Sequence, residues 1–146
     1  MPTAGRLTGA MAYALLGGVL AWLLIPFFDA GRVPDYWAAT CVGTGLLVGW
    51  ILVGTRVNQR TGVAIGTGLT AAAALAFWVL FIIGARRMIA DSMRGRYDGP
   101  TDAVIGVFAN MIDDGQQFAD PAILLLLVLG SLAAALLTNL IGTRFR

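Results

Sequence analysis

The 146-residue chain has no histidine, no lysine and no glutamate, and its single cysteine is Cys41. Without histidine there is no Ser–His–Asp or Cys–His pair, no imidazole ligand for haem and no zinc site of the usual kind. A single cysteine excludes an internal disulfide, and its place in an apolar stretch predicts a role in helix packing. The composition therefore argues against an enzyme and offers no catalytic residue, cofactor site or metal site.

Charge is also scarce, because ten arginines and eight aspartates supply all of it. The net charge of +2 does not require nucleic acid as a partner. The arginines flank apolar segments, where anionic lipid headgroups are sufficient partners. We therefore predict contact with membrane lipids and none with nucleic acid.

None of these charges falls inside four apolar stretches of 20–25 residues each. A helix rises ~1.5 Å per residue, so each stretch reaches at least ~30 Å, the thickness of the hydrocarbon core of a bilayer. We predict an all-α polytopic membrane protein, one membrane domain over residues 1–146, with four transmembrane helices. The stretches are Leu7–Phe28, Tyr36–Thr55, Thr61–Ala85 and Pro121–Thr143. The gaps at 29–35 and 56–60 predict turns between antiparallel neighbours.

The third gap, residues 86–120, is too short to build a core of its own. We expect Arg86–Arg94 to continue the third helix and Gly95 to end it. A short amphipathic helix should begin at Thr101, capped by Thr101 or Asp102. This extramembrane segment is predicted to lie on the bundle, the membrane surface or a partner. The residues on the apolar face of the short helix are Val104, Ile105, Phe108, Met111 and Ile112.

Small residues recur four apart in the spans, a spacing that lets two helix backbones approach closely in lipid. The second span carries two such pairs, Ala39 with Gly43 and Gly45 with Gly49. Internal packing of the four helices is the favoured interpretation of these faces. Contact with a second copy or with another membrane protein is the alternative. The longest run is the ridge of the third span: Gly62, Gly66, Thr70 and Ala74.

Aspartates cluster in the third gap, and two of them lie at the end of the short helix. There the helix dipole disfavours Asp113 and Asp114 by ~0.3–1 kcal/mol each. A cation or partner contact is one interpretation, and solvated carboxylates are the favoured one. On the preceding helix, Asp91 has the spacing of an ion pair with both Arg87 and Arg94.

Transport chemistry normally needs ionisable side chains at membrane depth, where they bind and release the coupling ion. The four stretches contain none, and their hydroxyls can bond back to their own helices. Ion-coupled transport by a monomer is therefore not predicted. A passive pore made by an oligomer stays an alternative, with a basic mouth formed by Arg86, Arg87, Arg94 and Arg96.

Several short motifs follow one another in a characteristic order. The chain opens with Met1-Pro2-Thr3-Ala4 and Arg6-Leu7, and Gly49-Trp50 and Phe77-Trp78 follow. Taken together over the whole length, these pieces resemble the TrgA family, small bacterial membrane proteins linked to tellurite resistance. The most distinctive piece is the loop of Arg96, Tyr97, Asp98, Gly99 and Pro100.

The resemblance implies a multi-pass protein of the bacterial inner membrane that supports tellurite resistance and has no catalytic residues to carry over. One alternative is an accessory subunit of a larger respiratory or photosynthetic membrane complex. The other is an oligomeric pore for an oxyanion or small solute. Five arginines flank the spans on each side, so their count does not decide orientation. The N-terminal amine and the usual dominance of the first helix favour cytoplasmic termini.

Overall fold

Five long helices make up the fold in a computed structural model that describes residues 3–28, 33–56 and 60–144. They are α1 (Thr3–Leu23), α2 (Trp37–Val48), α3 (Thr61–Met93), α4 (Pro100–Phe118) and α5 (Pro121–Arg144). A 3-10 turn, Ile25–Phe27, follows α1; a π-helical turn, Gly49–Val53, and a 3-10 turn, Gly54–Arg56, extend α2.

Four helical segments are long and apolar enough to cross a membrane, and the described residues contain no strand. The all-α polytopic prediction is therefore confirmed. Parts of the two predicted turns, residues 29–32 and 57–59, lie outside the described residues. The four segments are Ala4–Phe27, Trp37–Arg56, Thr61–Met93 and Pro121–Arg144.

The spanning helices alternate in direction, with α1 against α2 and α5, and α3 against α5 and α4. Near the start of α1, a Cβ built on Gly9 would lie 3.3 Å from Cγ2 of Thr138, near the end of α5. The described ends of the chain therefore lie at one end of the bundle, which we call the terminal end. The opposite end carries α4, and we call it the α4 end.

The third helix is longer than a membrane span. Its 33 residues reach about 50 Å at ~1.5 Å per residue, whereas the hydrocarbon core is ~30 Å thick. It stops where Gly95 adopts φ 71°, a left-handed conformation that glycine accepts readily. The amide of Gly95 donates to the carbonyl of Ser92 at 3.0 Å. Both the continuation over residues 86–93 and the stop at Gly95 are confirmed.

The buried residues form two clusters, and α4 enters the second. Phe118 of α4 lies with its ring centroid 5.5 Å from that of Trp37 and 5.3 Å from that of Phe28. The indole N–H of Trp37 donates to the carbonyl of Ala21 at 2.9 Å. All five helices therefore meet at the second cluster, where Ile123 of α5 also packs. The first cluster is Tyr13, Val48, Val53, Ala71, Ala134 and Ala135; the second is Ala21, Leu24, Trp37, Cys41, Ile83 and Phe118.

A buried chain of hydrogen bonds joins three of the spanning helices. The Ser131 hydroxyl of α5 donates to the Gly68 carbonyl of α3 at 2.7 Å. Because that proton is committed, the Tyr13 hydroxyl of α1 donates to Ser131, at 2.7 Å from Oγ and 2.9 Å from the carbonyl. Tyr13 and Ser131 are both 0% exposed. Bonding back to their own helix, the expectation for span hydroxyls, is wrong for these two residues.

Other span hydroxyls do bond back within their own helix. Thr67 donates to Val63, Thr70 to Gly66 and Thr138 to Ala134, each to the carbonyl four residues earlier. These bonds satisfy the hydroxyl without joining two helices. Tyr13 and Ser131 therefore differ from these threonines in joining separate helices, as the indole N–H of Trp37 also does.

Replacing Tyr13 with Phe should lower the free energy of unfolding by about 1 kcal/mol, since measured hydrogen bonds between transmembrane helices average ~0.6 and reach ~1.7 kcal/mol. The control is Thr70→Val, which removes an exposed hydroxyl bonded only to its own helix and should change stability little. Unfolding by dodecyl sulfate in mixed micelles measures both. Equal stabilities for wild type and Tyr13→Phe would contradict the assigned role.

Candidate functional site

Glycines bring α1 and α2 into backbone contact. A Cβ on Gly49 would collide with the Gly9 carbonyl, and one on Gly45 with the Tyr13 carbonyl. The contact is reciprocal, because a Cβ on Gly9 would lie 2.7 Å from the Gly49 carbonyl and one on Gly17 would collide with that of Cys41. The predicted pair on α2 therefore lies against α1. Gly9 and Gly17, eight residues apart on one face, are the matching signal in α1 that sequence reasoning missed.

The ridge of α3 lies on the opposite side of that helix from the core. Gly62, Gly66 and Thr70 are exposed, and a Cβ on either glycine would meet no atom within 4 Å. Only Ala74 lies partly against the first core cluster. Internal packing is therefore wrong for Gly62 and Gly66, while partner contact stays a prediction. The bundle instead buries another small-residue face of α3: Ala64, Thr67, Gly68, Ala71 and Ala72.

The loop of residues 96–100 is held by its own side chains. Arg96 forms an ion pair with Asp91 at 3.2 Å, and its amide donates to the Asp91 carbonyl at 3.1 Å. The Tyr97 ring lies over Gly106 of α4, where a Cβ would come 2.5 Å from the ring hydroxyl. These contacts give the motif a structural role, which is to reverse the chain between α3 and α4.

The start of α4 differs from the expectation. The helix begins at Pro100, with Gly99 as the cap residue and no side-chain cap hydrogen bond. Capping by Thr101 or Asp102 is therefore wrong. Proline is favoured in the first turn, because its fixed φ suits a helix and an amide donor there would have no partner within the helix. The Gly99–Pro100 pair accounts for the earlier start.

A buried ion pair fastens α4 to α3. Arg87 Nη1 lies 2.7 Å from Asp114 Oδ1; the side chain of Arg87 is 44% exposed and that of Asp114 only 1%. Solvation of Asp114 is therefore wrong, and so is the expected pairing of Asp91 with Arg87 or Arg94. Asp91 pairs with Arg96 instead. Charges four apart on one helix are well placed for each other, but here neighbouring segments offer closer partners.

Burial is the main influence on the pKa of the Asp114 carboxyl. Burial raises the pKa of this carboxyl, and the neighbouring Arg87 guanidinium opposes that rise. The other oxygen, Oδ2, has no hydrogen-bond partner among the described residues. A carboxylate near the end of a helix meets the negative end of its dipole, so the guanidinium offsets both costs.

An apolar surface remains on the outside of α4. Val104, Ile105, Phe108 and Ile112 are each more than half exposed, as the predicted apolar face requires if it meets lipid or a partner. Met111, the fifth member, turns inward beside Gly84 of α3. We call the four exposed residues the outer face of α4. A helix with one apolar face beside spanning helices is typical of the membrane interface.

The arginines at the α4 end are mostly engaged within the chain. The Arg86 guanidinium lies 4.4 Å above the centre of the Tyr36 ring, Arg87 binds Asp114 and Arg96 binds Asp91. Within residues 3–28, 33–56 and 60–144, no group of three or more metal-ligating side chains comes together. The described part of the site thus presents helix-contact surfaces.

Models of known protein families, curated proteins and solved structures were compared with the chain, and none of them matches it.

Replacement by leucine should have opposite effects at a glycine of the α1–α2 contact and at a glycine of the α3 ridge. Gly49→Leu should destabilise the isolated protein by ~1–3 kcal/mol or more, because the new side chain must separate α1 from α2. Gly66→Leu should leave it as stable or slightly more stable, because leucine is the better helix former by up to ~1 kcal/mol and meets open space. Thermal unfolding in mild detergent measures both. A loss of thermal stability in Gly66→Leu as large as that in Gly49→Leu would contradict the assignment of Gly66 to an exposed surface.

The raised pKa of Asp114 predicts a pH dependence. The unfolded carboxyl titrates near ~3.9, so between that pH and the higher folded pKa the folded protein holds the proton more tightly. The contribution of Asp114 to the free energy of unfolding is therefore fully present at low pH, and it is lost as pH rises through the pKa of the folded state. Relative to wild type, Asp114→Asn should lose less thermal stability between pH 4 and 7.

The matched control for this experiment is Asp113→Asn, at the exposed neighbouring position. It should keep nearly the wild-type slope, because Asp113 is the smallest influence on Asp114. A slope unchanged by Asp114→Asn would show that another group carries the pH dependence.

Proposed function

We propose that this chain is a non-enzymatic integral membrane protein of the TrgA type that supports tellurite resistance by binding another membrane protein through α3. The observation that carries the proposal is the exposed face of Gly62, Gly66 and Thr70, which the bundle leaves uncovered. Small residues four apart are how transmembrane helices bring their backbones together in lipid. The partner is a larger membrane complex, in which this chain is an accessory subunit, or a second copy of the chain.

The chemistry of the interior supports a role by association. Its central polar groups, Tyr13 and Ser131, are fully buried and bonded to protein atoms. Cys41 is buried among apolar side chains, away from any activating base in the described core. These groups stabilise the bundle. The exposed small-residue face of α3 is therefore the surface to which we assign association.

The oligomeric pore has less support. A pore needs a polar lining or a ring of charge along its path. The exposed faces of the described spans are apolar or small, and three of the four arginines proposed for a basic mouth contact side chains of the same chain. Association through α3 accounts for the exposed glycines without such a path.

Gly66→Leu should separate association from folding. In a bacterium that carries the chain, deletion should lower the tellurite concentration that cells tolerate, and the wild-type copy should restore it. Gly66→Leu should reach the membrane at wild-type levels, lose its co-purifying partner in mild detergent, and fail to restore tolerance. Purification of the tagged protein followed by mass spectrometry identifies the partner.

The matched control is Gly43→Leu, since Gly43 on α2 is also exposed with no atom within 4 Å of a Cβ. This variant should keep the co-purifying partner and should restore tellurite tolerance. A lone monomer after purification of the wild type would contradict association. Loss of the partner in Gly43→Leu but not in Gly66→Leu would place the contact on α2. Normal tolerance after deletion would contradict the role in tellurite resistance.

A further inference from the structure

An apolar cavity of about 120 Å³ lies inside the half of the bundle nearest the α4 end. A dry apolar cavity of ~150 Å³ in a soluble protein is large enough to bind benzene. An empty cavity of this kind forfeits the dispersion contacts of its lining. It is therefore a site for an apolar group, and its surroundings identify which one.

The floor of the cavity is buried and its rim is not. Trp37, Cys41 and Leu75 lie at the floor and are 2–3% exposed. The rim is formed by α3, the end of α4 and α5, where Leu124 is 49% exposed and Ala119 is also exposed. The cavity therefore opens between α3 and α5, at the surface that the spanning helices present to lipid.

The chemistry of the lining excludes a polar occupant. Apart from the Cys41 thiol and backbone atoms, every contributing group is hydrocarbon or aromatic, and the Trp37 N–H is already bonded to the Ala21 carbonyl. A ligand carrying a hydroxyl, amide or charge into the cavity would leave that group without a partner. A flexible hydrocarbon chain has no such cost.

We propose that the cavity binds a lipid acyl chain, which enters between α3 and α5 in the leaflet at the α4 end. The occupant follows from continuity, because the rim lies on the lipid-facing side of two spanning helices and hydrocarbon is the solvent there. The terminal turn of α4, with Gly115 and Phe118, lines the same space. This site is separate from the ridge of α3 and does not depend on the proposed partner.

Trp37 is a built-in reporter for the site. Replacing the exposed tryptophans Trp22, Trp50 and Trp78 by Phe leaves only the buried Trp37, 2% exposed. The protein is then placed in vesicles of phosphatidylcholine with bromine atoms on one acyl chain. We expect quenching of Trp37 close to that of a single-Trp22 variant, whose indole is 71% exposed. If Trp37 is quenched far less than Trp22, no acyl chain occupies the cavity and the proposal is overturned.

Two variants block the cavity from different sides. Ala76→Phe fills it from α3 and Gly115→Val from α4, where a Cβ already has ordinary contact with Leu80 at 3.7 Å. Each should remove most of the Trp37 quenching. The control Ala73→Phe, at an exposed position of α3 outside the lining, should leave it unchanged. Undiminished quenching in a folded blocked variant would show that bromine reaches Trp37 from outside, and it would overturn the proposal.

A second arm identifies the source of the chain. Brominated fatty acid is added to vesicles of unbrominated phosphatidylcholine, and quenching is compared with that by the brominated phospholipid. Quenching by the phospholipid alone assigns the site to membrane lipid, and quenching by both assigns it to acyl chains in general. Quenching by neither contradicts acyl-chain binding.

Discussion

Tyr13 lies where four spanning helices meet, and the bundle depends on contacts at both ends of this residue. Its backbone carbonyl faces Gly45, so α2 can approach α1 only because no side chain intervenes. Its hydroxyl reaches Ser131 of α5, which in turn donates to Gly68 of α3. In hydrocarbon no water can replace these partners, so the hydroxyl is satisfied only when the helices are assembled. One residue thus couples close backbone approach to hydrogen bonding.

The α4 end is assembled by a different combination of forces. Charge and aromatic contact act together there. Asp114 and Phe118, four apart on one face of α4, reach Arg87 and Trp37 respectively. Tyr97 anchors the preceding loop on Gly106. Because the inner face of α4 is used in this way, its apolar outer face is left for lipid or a partner.

The spans could be predicted because their signal is local. Charge-free stretches, the overhang of α3 and its stop at Gly95 follow from residues near each other in the chain. The inward face of α3 could not be predicted, since small residues four apart occur on two of its faces. Gly66 and Gly68 illustrate this: a Cβ built on Gly66 would meet open space, whereas one built on Gly68 would lie 3.2 Å from α5 atoms.

Contacts between distant segments were harder to predict for the same reason. Helix α4 offers Asp114 no basic partner, and the guanidinium that pairs with it belongs to Arg87 on α3. The Tyr13–Ser131 bond joins residues 118 positions apart. A hydroxyl can reach a partner on another helix only if both helices are rotated suitably about their axes. In lipid, the hydrophobicity of the sequence does not determine that rotation. The acyl-chain cavity is likewise visible only once all five helices are assembled.

The glycines of this protein fall into two groups, those at close contacts between helices and those on exposed surfaces. A glycine inside a helix costs up to ~1 kcal/mol relative to alanine. At Gly45 and Gly49 the close approach of α1 offsets that cost, whereas Gly62 and Gly66 face open space where alanine would fit. Gly43 is equally open, but it is a single glycine, while α3 presents two on one face followed by Thr70. That repetition favours an external helix as the partner that offsets the cost.

The two exposed surfaces on this bundle do not compete for the same stretch of α3. Helix α3 lines the cavity with residues between Leu75 and Leu80, whereas the exposed part of the ridge ends at Thr70. At ~1.5 Å per residue, Gly66 and Ala76 are about 15 Å apart along the helix axis. A helix bound along the ridge at the terminal end therefore leaves α4 in place, and an acyl chain entering beneath α4 leaves the ridge free. The proposed partner helix and the proposed acyl chain therefore occupy different stretches of α3, the first outside the bundle and the second in its apolar cavity.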